Sequence, residues 1–387
     1  MQYLSAKETA QRWRVTPRYV QRLAADGRIP GAKKHGGAYF IPEDAQKPPD
    51  PRRAKKHDGA PQAEYALIPA LYLRGGDLAG AFARCRSEDE RALLNADLAY
   101  LRGDPETARS LAAAVQRRTR EPQLKLGAGM ALGLCAMCLG DVPAWKQTAA
   151  ALAALRVPAR LTQEREFAIG ALNVWLHGTS YPEWLETGAF TGLSPALFPM
   201  ARWIYAFILY IKWREVDLLA VTEPMIAECR REQSDLCEAY LRLIAATAYF
   251  DHGRRERAAA HIGVAADLLL PLGLIAPFVE YRLILPGVMD ACLKEKYPEA
   301  LSEIKRRTQP FTAHWAAVYE GVLGKPVAGG LSQREFEVCL LTQRGMTAGE
   351  IAVRIGVSKN TVKKYLRTAF DKLGAEGREQ LGVYLHP

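Results

Sequence analysis

The stretch AVRIGVSKNTVKKY (352–365) has the pattern of two short helices joined by a tight turn. Gly356 permits a sharp change of direction, Val357 can fill the corner, and Ser358 is a common helix N-cap. Ala352 is small where two crossing helices must approach closely. This combination predicts a helix-turn-helix, whose second helix normally enters the major groove of DNA.

The second predicted helix combines an apolar side with a basic side. Val362 and Leu366 recur at helical spacing and predict the buried side. On the opposite side, lysine and arginine can neutralise phosphates, while hydroxyl and amide groups can reach base edges. The candidate DNA-contacting residues are Ser358, Lys359, Asn360, Thr361, Lys363, Lys364 and Arg367.

The flanking residues extend the motif to a domain over 331–387. Ser332 and Glu335 form a predicted capping box, and Thr347 is a predicted cap for the helix before the turn. This segment closely resembles the LuxR/GerE-type family. The resemblance is carried by Leu331, Arg334, Glu335, Glu337, Val338, Gly345, Glu350, Ile351, Ala352, Val357, Ser358, Thr361, Val362, Lys363, Lys372, Leu373 and Arg378.

The resemblance implies a four-helix domain that binds promoter DNA as a homodimer, through a last helix around 378–384. Two positions depart from the family pattern, because Ala348 stands where Asn is usual and Tyr365 where His is usual. The second departure bears on the phosphate contacts. The base-contacting positions of the family correspond here to Lys363, Lys364 and Arg367.

A second stretch, AQRWRVTPRYVQRL (10–23), falls into the same frame near the other end of the chain. Its Ala10, Val15, Thr16 and Val20 occupy the crossing, corner, cap and buried positions of the first motif. The outward residues differ between the two motifs. The chain is therefore predicted to carry two DNA readers with different preferences.

Residues on both sides complete this second motif. Ser5 and Glu8 form a predicted capping box, and GRIPGAKKHGGAYFIP (27–42) predicts a small wing with Lys33, Lys34 and His35 at a Gly-rich tip. The candidate DNA-contacting residues are Thr16, Arg18, Tyr19, Arg22, Lys33 and Lys34.

Residues 1–46 resemble the excisionase/MerR-type winged helix-turn-helix family. The resemblance implies a transcriptional regulator or an accessory protein of recombination. Arg14 replaces the Gly that is usual at the turn. The alternative is a domain that keeps the fold but serves as a protein docking module.

The middle of the chain, 63–323, is rich in Ala and Leu at helical spacing, and strand signals are nearly absent. Gly-containing or polar turns recur with spacings of 37, 38, 35 and 40 residues. This near-regular period predicts stacked helical hairpins, with an irregular all-helical domain as the alternative. The turn positions are Gly103, Gly140, Gly178, Trp213 and Gly253.

The middle segment loosely resembles tetratricopeptide-type repeats, and in particular the helical sensor segments of large LuxR-type regulators related to the maltose activator. The resemblance implies a small-molecule, peptide or protein effector. The stretch 47–62, with its prolines and basic residues, predicts a linker, and 324–330 predicts a short joint. The predicted fold class is mainly α, with a winged helix-turn-helix, a helical repeat array and a LuxR-type domain in that order.

Positive charge is concentrated at the two ends of the chain. The net charge is +10, and residues 1–60 hold 13 Lys and Arg against 6 Asp and Glu. Residues 325–387 hold 10 against 6, so the remaining middle carries a net charge of −1. Basic ends around a neutral middle indicate that both ends contact a polyanion, double-stranded DNA. The alternative is that the basic ends only aid solubility.

Several classes of function are disfavoured. No apolar stretch reaches the length of a membrane span, no export signal opens the chain, and the 7 cysteines are scattered, so a cytoplasmic location without membrane contact is expected. Cys135 and Cys138 form a lone CxxC in an apolar helix and are expected to pack in the core. No nucleotide-binding, metal-binding or catalytic constellation is recognisable, so neither enzyme activity nor a cofactor is expected.

These observations predict a bacterial transcription regulator with two DNA-binding modules around a helical sensing segment. An alternative is an accessory DNA-binding protein of a mobile element, in which the winged domain marks recombination sites. Another alternative is a helical-repeat adaptor tethered to DNA without sequence preference.

Overall fold

The computed structural model describes residues 3–13, 15–25, 29, 31–43, 45, 67–177, 181–212, 214–282, 284–285, 287–324, 331, 333–343, 345–373 and 375–381. The chain divides into two compact units, Met1–Glu64 and Tyr65–Pro387. None of the helices in these ranges is long and apolar enough to cross a membrane. Some predicted features lie outside the described residues, namely the linker 47–62, most of the joint 324–330, Arg14, Gly178, Trp213, Ser332 and the part of the last helix beyond Leu381.

The first unit is a small winged helix-turn-helix. Its elements are β1 (Tyr3–Ser5), α1 (Ala6–Trp13), α2 (Pro17–Ala25), β2 (Lys33–His35) and β3 (Ala38–Pro42). The strands form an antiparallel sheet in the order β1-β3-β2, with Leu4 opposite Ile41 and Lys34 opposite Tyr39.

The core of this unit is built from the positions that the sequence pattern predicted. Ala10 and Val20 are fully buried, and the small side chain of Ala10 lets α1 and α2 cross. The Val15 N–H donates to the Ala10 carbonyl at 2.9 Å, which closes the turn between the helices. Leu23 and Ile41 join the sheet to the same core.

The second unit begins with helices that follow one another closely along the chain. They are α3 (Leu78–Arg84), α4 (Glu88–Leu101), α5 (Pro105–Arg118), α6 (Pro122–Cys138), α7 (Val142–Ala154), α8 (Thr162–Trp175), α9 (Glu183–Glu186), α10 (Phe198–Ile211), α11 (Glu215–Arg231), α12 (Asp235–Asp251), α13 (Arg255–Leu269), α14 (Ala276–Tyr281), α15 (Val288–Leu293) and α16 (Pro298–Leu323).

Neighbouring helices in this series pack as antiparallel pairs, for example α4 with α5, α6 with α7 and α12 with α13. The pairs turn at Gly103, Gly140 and Gly253, whose φ angles are 80°, 70° and 72°. Asp104 and Asp141 follow two of these glycines and cap the next helix by accepting from its backbone N–H groups. These three predicted turn positions are confirmed, while the likeness to tetratricopeptide repeats stays a prediction.

Aromatic side chains fill the centre of the helical segment. Trp203 is 1% exposed, and its ring centroid lies 4.3 Å from that of Tyr240 and 5.1 Å from that of Trp175. Its indole N–H donates to the Tyr281 hydroxyl at 2.9 Å. Trp175 and Trp203 thus fill gaps between the helices of the core.

The long helix α16 runs across the ends of earlier helices. The His314 ring Nδ1 lies 2.7 Å from the Cys138 carbonyl oxygen, and the Trp315 indole N–H donates to the Trp175 carbonyl at 2.9 Å. The last carbonyls of α6 and α8 thereby gain partners that their own helices cannot supply.

The final elements are α17 (Gln333–Gln343), α18 (Ala348–Ile355) and α19 (Lys359–Leu373), followed by a short turn of 3-10 helix at Arg378–Gln380. Ile351, Ala352 and Val362 are buried where α18 crosses α19. The predicted fold class, mainly α with a winged helix-turn-helix at the amino end, is confirmed.

Candidate nucleic-acid interfaces

The last helix-turn-helix is fixed by a complete capping box at α18. The Thr347 hydroxyl accepts from the Glu350 N–H at 3.3 Å, and the Glu350 carboxylate accepts from the Thr347 N–H at 2.8 Å. The Thr347 N–H, and then the Thr347 hydroxyl, which donates to the same carboxylate at 2.8 Å, lower the pKa of Glu350 below its ordinary value. The predicted cap at Thr347 is confirmed.

The turn between α18 and α19 has the predicted geometry. Gly356 adopts a left-handed φ of 69°, and the Val357 N–H donates to the Ala352 carbonyl at 3.0 Å. The Ser358 hydroxyl accepts from the Thr361 N–H at 3.1 Å and lies 2.8 Å from the Thr361 hydroxyl. Ser358 and Thr361 therefore hold the start of α19 in place, so their hydroxyls are engaged within the protein.

Helix α19 turns a basic side outward. Val362, Ala369 and Leu373 are buried on the opposite side. Within the described part of the chain, no acidic side chain pairs with the outward basic residues. The exposed residues of this surface are Lys359, Asn360, Lys363, Lys364 and Arg367, and we call them the α19 face.

Two ion pairs stabilise the helices that support the α19 face. The Lys372 ammonium lies 2.7 Å from the largely buried Glu335 carboxylate, which joins α19 to α17. Arg334 pairs with Glu337 at 2.8 Å, and burial raises the pKa of Glu337 while Arg334 opposes that shift. The sequence had marked these residues through family resemblance but had not paired Lys372 with Glu335.

A contact of Arg354 joins the helix-turn-helix to the helical segment, and no sequence signal predicted it. The guanidinium of Arg354, on α18, lies 3.9 Å from the centre of the Phe250 ring at the end of α12. The same group lies 3.5 Å from the Phe250 carbonyl oxygen, and Arg354 is only 6% exposed. A charged residue at this depth is stabilised by the ring and by hydrogen-bonding partners.

The first unit presents its candidate residues on α2. Arg18 and Arg22 are exposed, whereas Tyr19 is half-buried and lies 5.3 Å below the Arg22 guanidinium. The carbonyl of exposed Thr16 accepts from the Val20 N–H at 3.3 Å, which starts the helix. The predicted capping box before α1 is confirmed, because the Ser5 N–H donates to the Glu8 carboxylate at 2.8 Å and the Glu8 N–H donates to the Ser5 hydroxyl at 3.3 Å.

The wing differs from the prediction in one respect. Lys33 and Lys34 lie within strand β2, and the tip consists of Gly36 and Gly37, whose φ angles of 54° and 84° suit a two-residue hairpin turn. Successive strand residues point to opposite faces. Accordingly, the Lys33 ammonium lies 5.2 Å from the Tyr3 ring and the Lys34 ammonium 5.6 Å from the Tyr39 ring.

The cysteine and metal-ligating side chains of the described residues were the other candidates for a site. Cys135 is fully buried in the main core, as predicted, and burial raises the pKa of its thiol to about 12. Within the described ranges, no group of His, Cys, Asp or Glu side chains is placed to hold a metal ion.

Comparison with known proteins finds a match for each of the two helix-turn-helix domains. Residues 330–385 match the family described as "Bacterial regulatory proteins, luxR family", and residues 3–45 match the family described as "Helix-turn-helix domain". The chain is 43% identical over 56 residues to "Probable transcriptional regulatory protein SgaR" of Hyphomicrobium methylovorum. That match covers 14% of this chain and 26% of the relative, so the chain spans about a quarter of the relative's length. No solved structure matches the chain significantly.

The carboxy-terminal domain is thus a LuxR-family helix-turn-helix, and the amino-terminal domain is an excisionase-like helix-turn-helix. Both families point to DNA binding.

Proposed function

We propose that the chain is a DNA-binding transcription regulator of bacterial type, in which the α19 face reads promoter DNA. The observation that carries this proposal is a basic, exposed helix face on a fully capped helix-turn-helix, free of acidic partners among the described residues. Lys363, Lys364 and Arg367 are the proposed base contacts, and Lys359 and Asn360 lie at the start of the same face.

The engaged hydroxyls refine the role of two candidate residues. Because Ser358 and Thr361 already hydrogen-bond each other and the helix backbone, their proposed role is to aim the first turn of α19 at a phosphate. The side chains on the α19 face then supply the sequence-dependent contacts. Dimerisation through the region around 378–384 completes this proposal, since a dimer reads two half-sites.

The first unit is proposed as a second DNA contact, made by Thr16 just before α2, by Arg18, Tyr19 and Arg22 on α2, and by one side of the wing. The side chains of Lys33 and Lys34 point to opposite faces of β2, so only one of them can face a DNA molecule bound on one side of the wing. Tethering two modules raises the effective concentration of the second once the first is bound, and joint affinity can rise by about 10²- to 10⁴-fold if both sites are spanned. The helical segment between them is proposed to sense an effector.

The test is selection of bound sites from genomic fragments with the full chain, followed by fluorescence anisotropy on the selected DNA at physiological salt. The double substitution Lys363→Ala/Lys364→Ala should abolish specific binding. A matched control is Lys146→Ala/Lys294→Ala, which removes two exposed lysines from the helical segment. Unchanged affinity in the α19 variant would reject the assignment.

The salt dependence of the same titration distinguishes sequence-specific binding from nonspecific binding to phosphates. Removing one phosphate-binding side chain from the α19 face should reduce the slope of log K against log salt by about 0.9. Removing a base-reading side chain should instead cost about 1–3 kcal/mol at one base position. Binding that falls with salt but shows no sequence preference would favour the tethered adaptor.

A further inference from the structure

A small pocket opens in the helical segment, between the ends of α4 and α6 and the sides of α14 and α16. Its volume is about 190 Å³. Leu139, Val279 and Phe311 give it apolar walls, and Glu280 and Tyr100 are among its lining residues. The other charged or titratable residues of the lining are Glu106, Cys138, Arg306, Arg307 and His314.

Glu280 is the unusual group of this pocket. Its carboxyl oxygens accept from the Tyr100 hydroxyl at 2.8 Å and from the Tyr240 hydroxyl at 3.0 Å. The residue as a whole is half-buried, while protein surrounds its carboxyl group. Burial raises the pKa of Glu280 to about 8, although both tyrosine hydrogen bonds act to lower it.

No basic side chain of the described residues pairs with Glu280. Both arginines on the lining, Arg306 and Arg307, are engaged by the Glu303 carboxylate, and Arg307 also donates to the Gly103 carbonyl. A buried carboxylate without a counter-ion is unfavourable, so such a group takes up either a proton or a cation. Two hydroxyl donors hold the oxygens in place for the second possibility.

We propose that this pocket binds a small organic ammonium ion, with Glu280 as its counter-ion and the apolar walls around its carbon skeleton. The inference rests on the proposed sensing role of the helical segment and names the chemistry of its effector. The walls formed by Leu139, Val279 and Phe311 offer few hydrogen bonds to a polyhydroxylated ligand, and a carboxylate on Glu280 repels an anion.

The first test is isothermal titration of the full chain, without DNA, with n-butylamine and with 1-butanol. Butylammonium stays protonated up to pH 8.5, as a lysine side chain does. Because it binds the carboxylate form, its affinity should rise by about 25-fold between pH 6.5 and pH 8.5 and level off above a pKa of about 8. Close to one proton should be released per ammonium bound at pH 6.5, and 1-butanol should not bind.

The second test is substitution. Glu280→Gln keeps the size of the side chain and one acceptor oxygen but removes its charge, so amine binding should be lost. The amide NH2 group replaces the second acceptor and can donate to a tyrosine oxygen. Glu256→Gln is the matched control, because Glu256 is an exposed carboxylate on α13 outside the pocket lining. If Glu280→Gln does not fold, as judged by circular dichroism, the pH dependence and proton release of the unaltered chain still decide the matter.

Three outcomes would overturn the proposal: no saturable amine binding at pH 8.5, equal binding of the alcohol, or unchanged binding in a folded Glu280→Gln protein. None of them involves DNA. Failure of this inference therefore leaves DNA binding by the α19 face intact, and failure of promoter binding leaves the amine titration intact.

Discussion

Replacing Gly356 by alanine should weaken the turn between α18 and α19 by about 1 kcal/mol. Gly356 has a φ of +69°, and a Cβ atom there would meet nothing within 4 Å, so the cost comes from the backbone alone. An L-residue in the left-handed conformation costs about 1–2 kcal/mol. The smaller entropy of the unfolded alanine chain offsets about 0.4–1 kcal/mol of this, which leaves the stated net effect.

Gly349→Ala is the control within the same motif. Gly349 lies in α18, and the nearest atom to an added Cβ would be the Thr347 Oγ1 at 3.9 Å. Alanine suits a helix, so this change should stabilise α18 by about 0.5 kcal/mol.

Hydrogen exchange of the full chain, measured by mass spectrometry, reports the local stability of α18 and α19 in both variants. Peptides spanning α18 and α19 should exchange about fivefold faster in the Gly356→Ala protein, because 1.36 kcal/mol corresponds to a tenfold change in the opening equilibrium. The same peptides should exchange more slowly in the Gly349→Ala protein. A change in the same direction for both variants would refute the backbone argument.

Three further outcomes are expected. Arg354→Ala should speed hydrogen exchange at the end of α12, since it removes a buried cation–π contact with Phe250 worth about 2 kcal/mol. Unchanged exchange there would contradict the contact. Lys33→Ala and Lys34→Ala should weaken DNA binding by the first unit to different extents in anisotropy titrations, because the two side chains leave opposite faces of β2, and equal weakening would count against this. The pKa of Glu350 is lowered in the folded protein, so its capping contribution is present above about pH 4.5 and is lost as pH falls below that value. Hydrogen exchange in α18 should therefore become faster in acid. In the Glu350→Gln protein this acid sensitivity should be absent.

The sequence predicted those features that depend on residues close together in the chain. The caps at Thr347 and Ser358 and the turn at Gly356 involve partners no more than five residues apart, and all have the expected geometry. Residue type at short spacing determines such structures directly. This locality also explains why the helix-turn-helix, and with it the α19 face, could be predicted in advance.

The wing shows where local reasoning was wrong. The run AKKHGGAY was expected to place Lys33 and Lys34 at the tip, but two consecutive glycines with positive φ form the turn by themselves. The lysines are thereby drawn into the strand ladder, with Lys34 opposite Tyr39. A two-residue turn that matches the strand twist is preferred over a longer loop.

The contacts that could not be predicted join residues far apart in the chain. Arg354 and Phe250 are 104 positions apart, and Tyr100 and Glu280 are 180 positions apart. Nothing in the local pattern around Glu280 separates it from an ordinary surface glutamate. Its chemistry follows from the packing of α4, α12 and α14 around it, which composition and periodicity do not specify.

Through these long-range contacts, one helix, α12, touches both Glu280 of the proposed effector site and Arg354 of the helix-turn-helix. Tyr240, which donates to Glu280, lies on α12, and the same helix carries the Phe250 contact to Arg354 near its end. Because a helix moves largely as one body, a ligand that changes the Tyr240–Glu280 hydrogen bond acts on the element against which α18 is docked. Coupling along this route requires two arrangements of α12 that ligand and DNA prefer differently. Arg354 is the position at which such a coupling would be broken without touching either ligand.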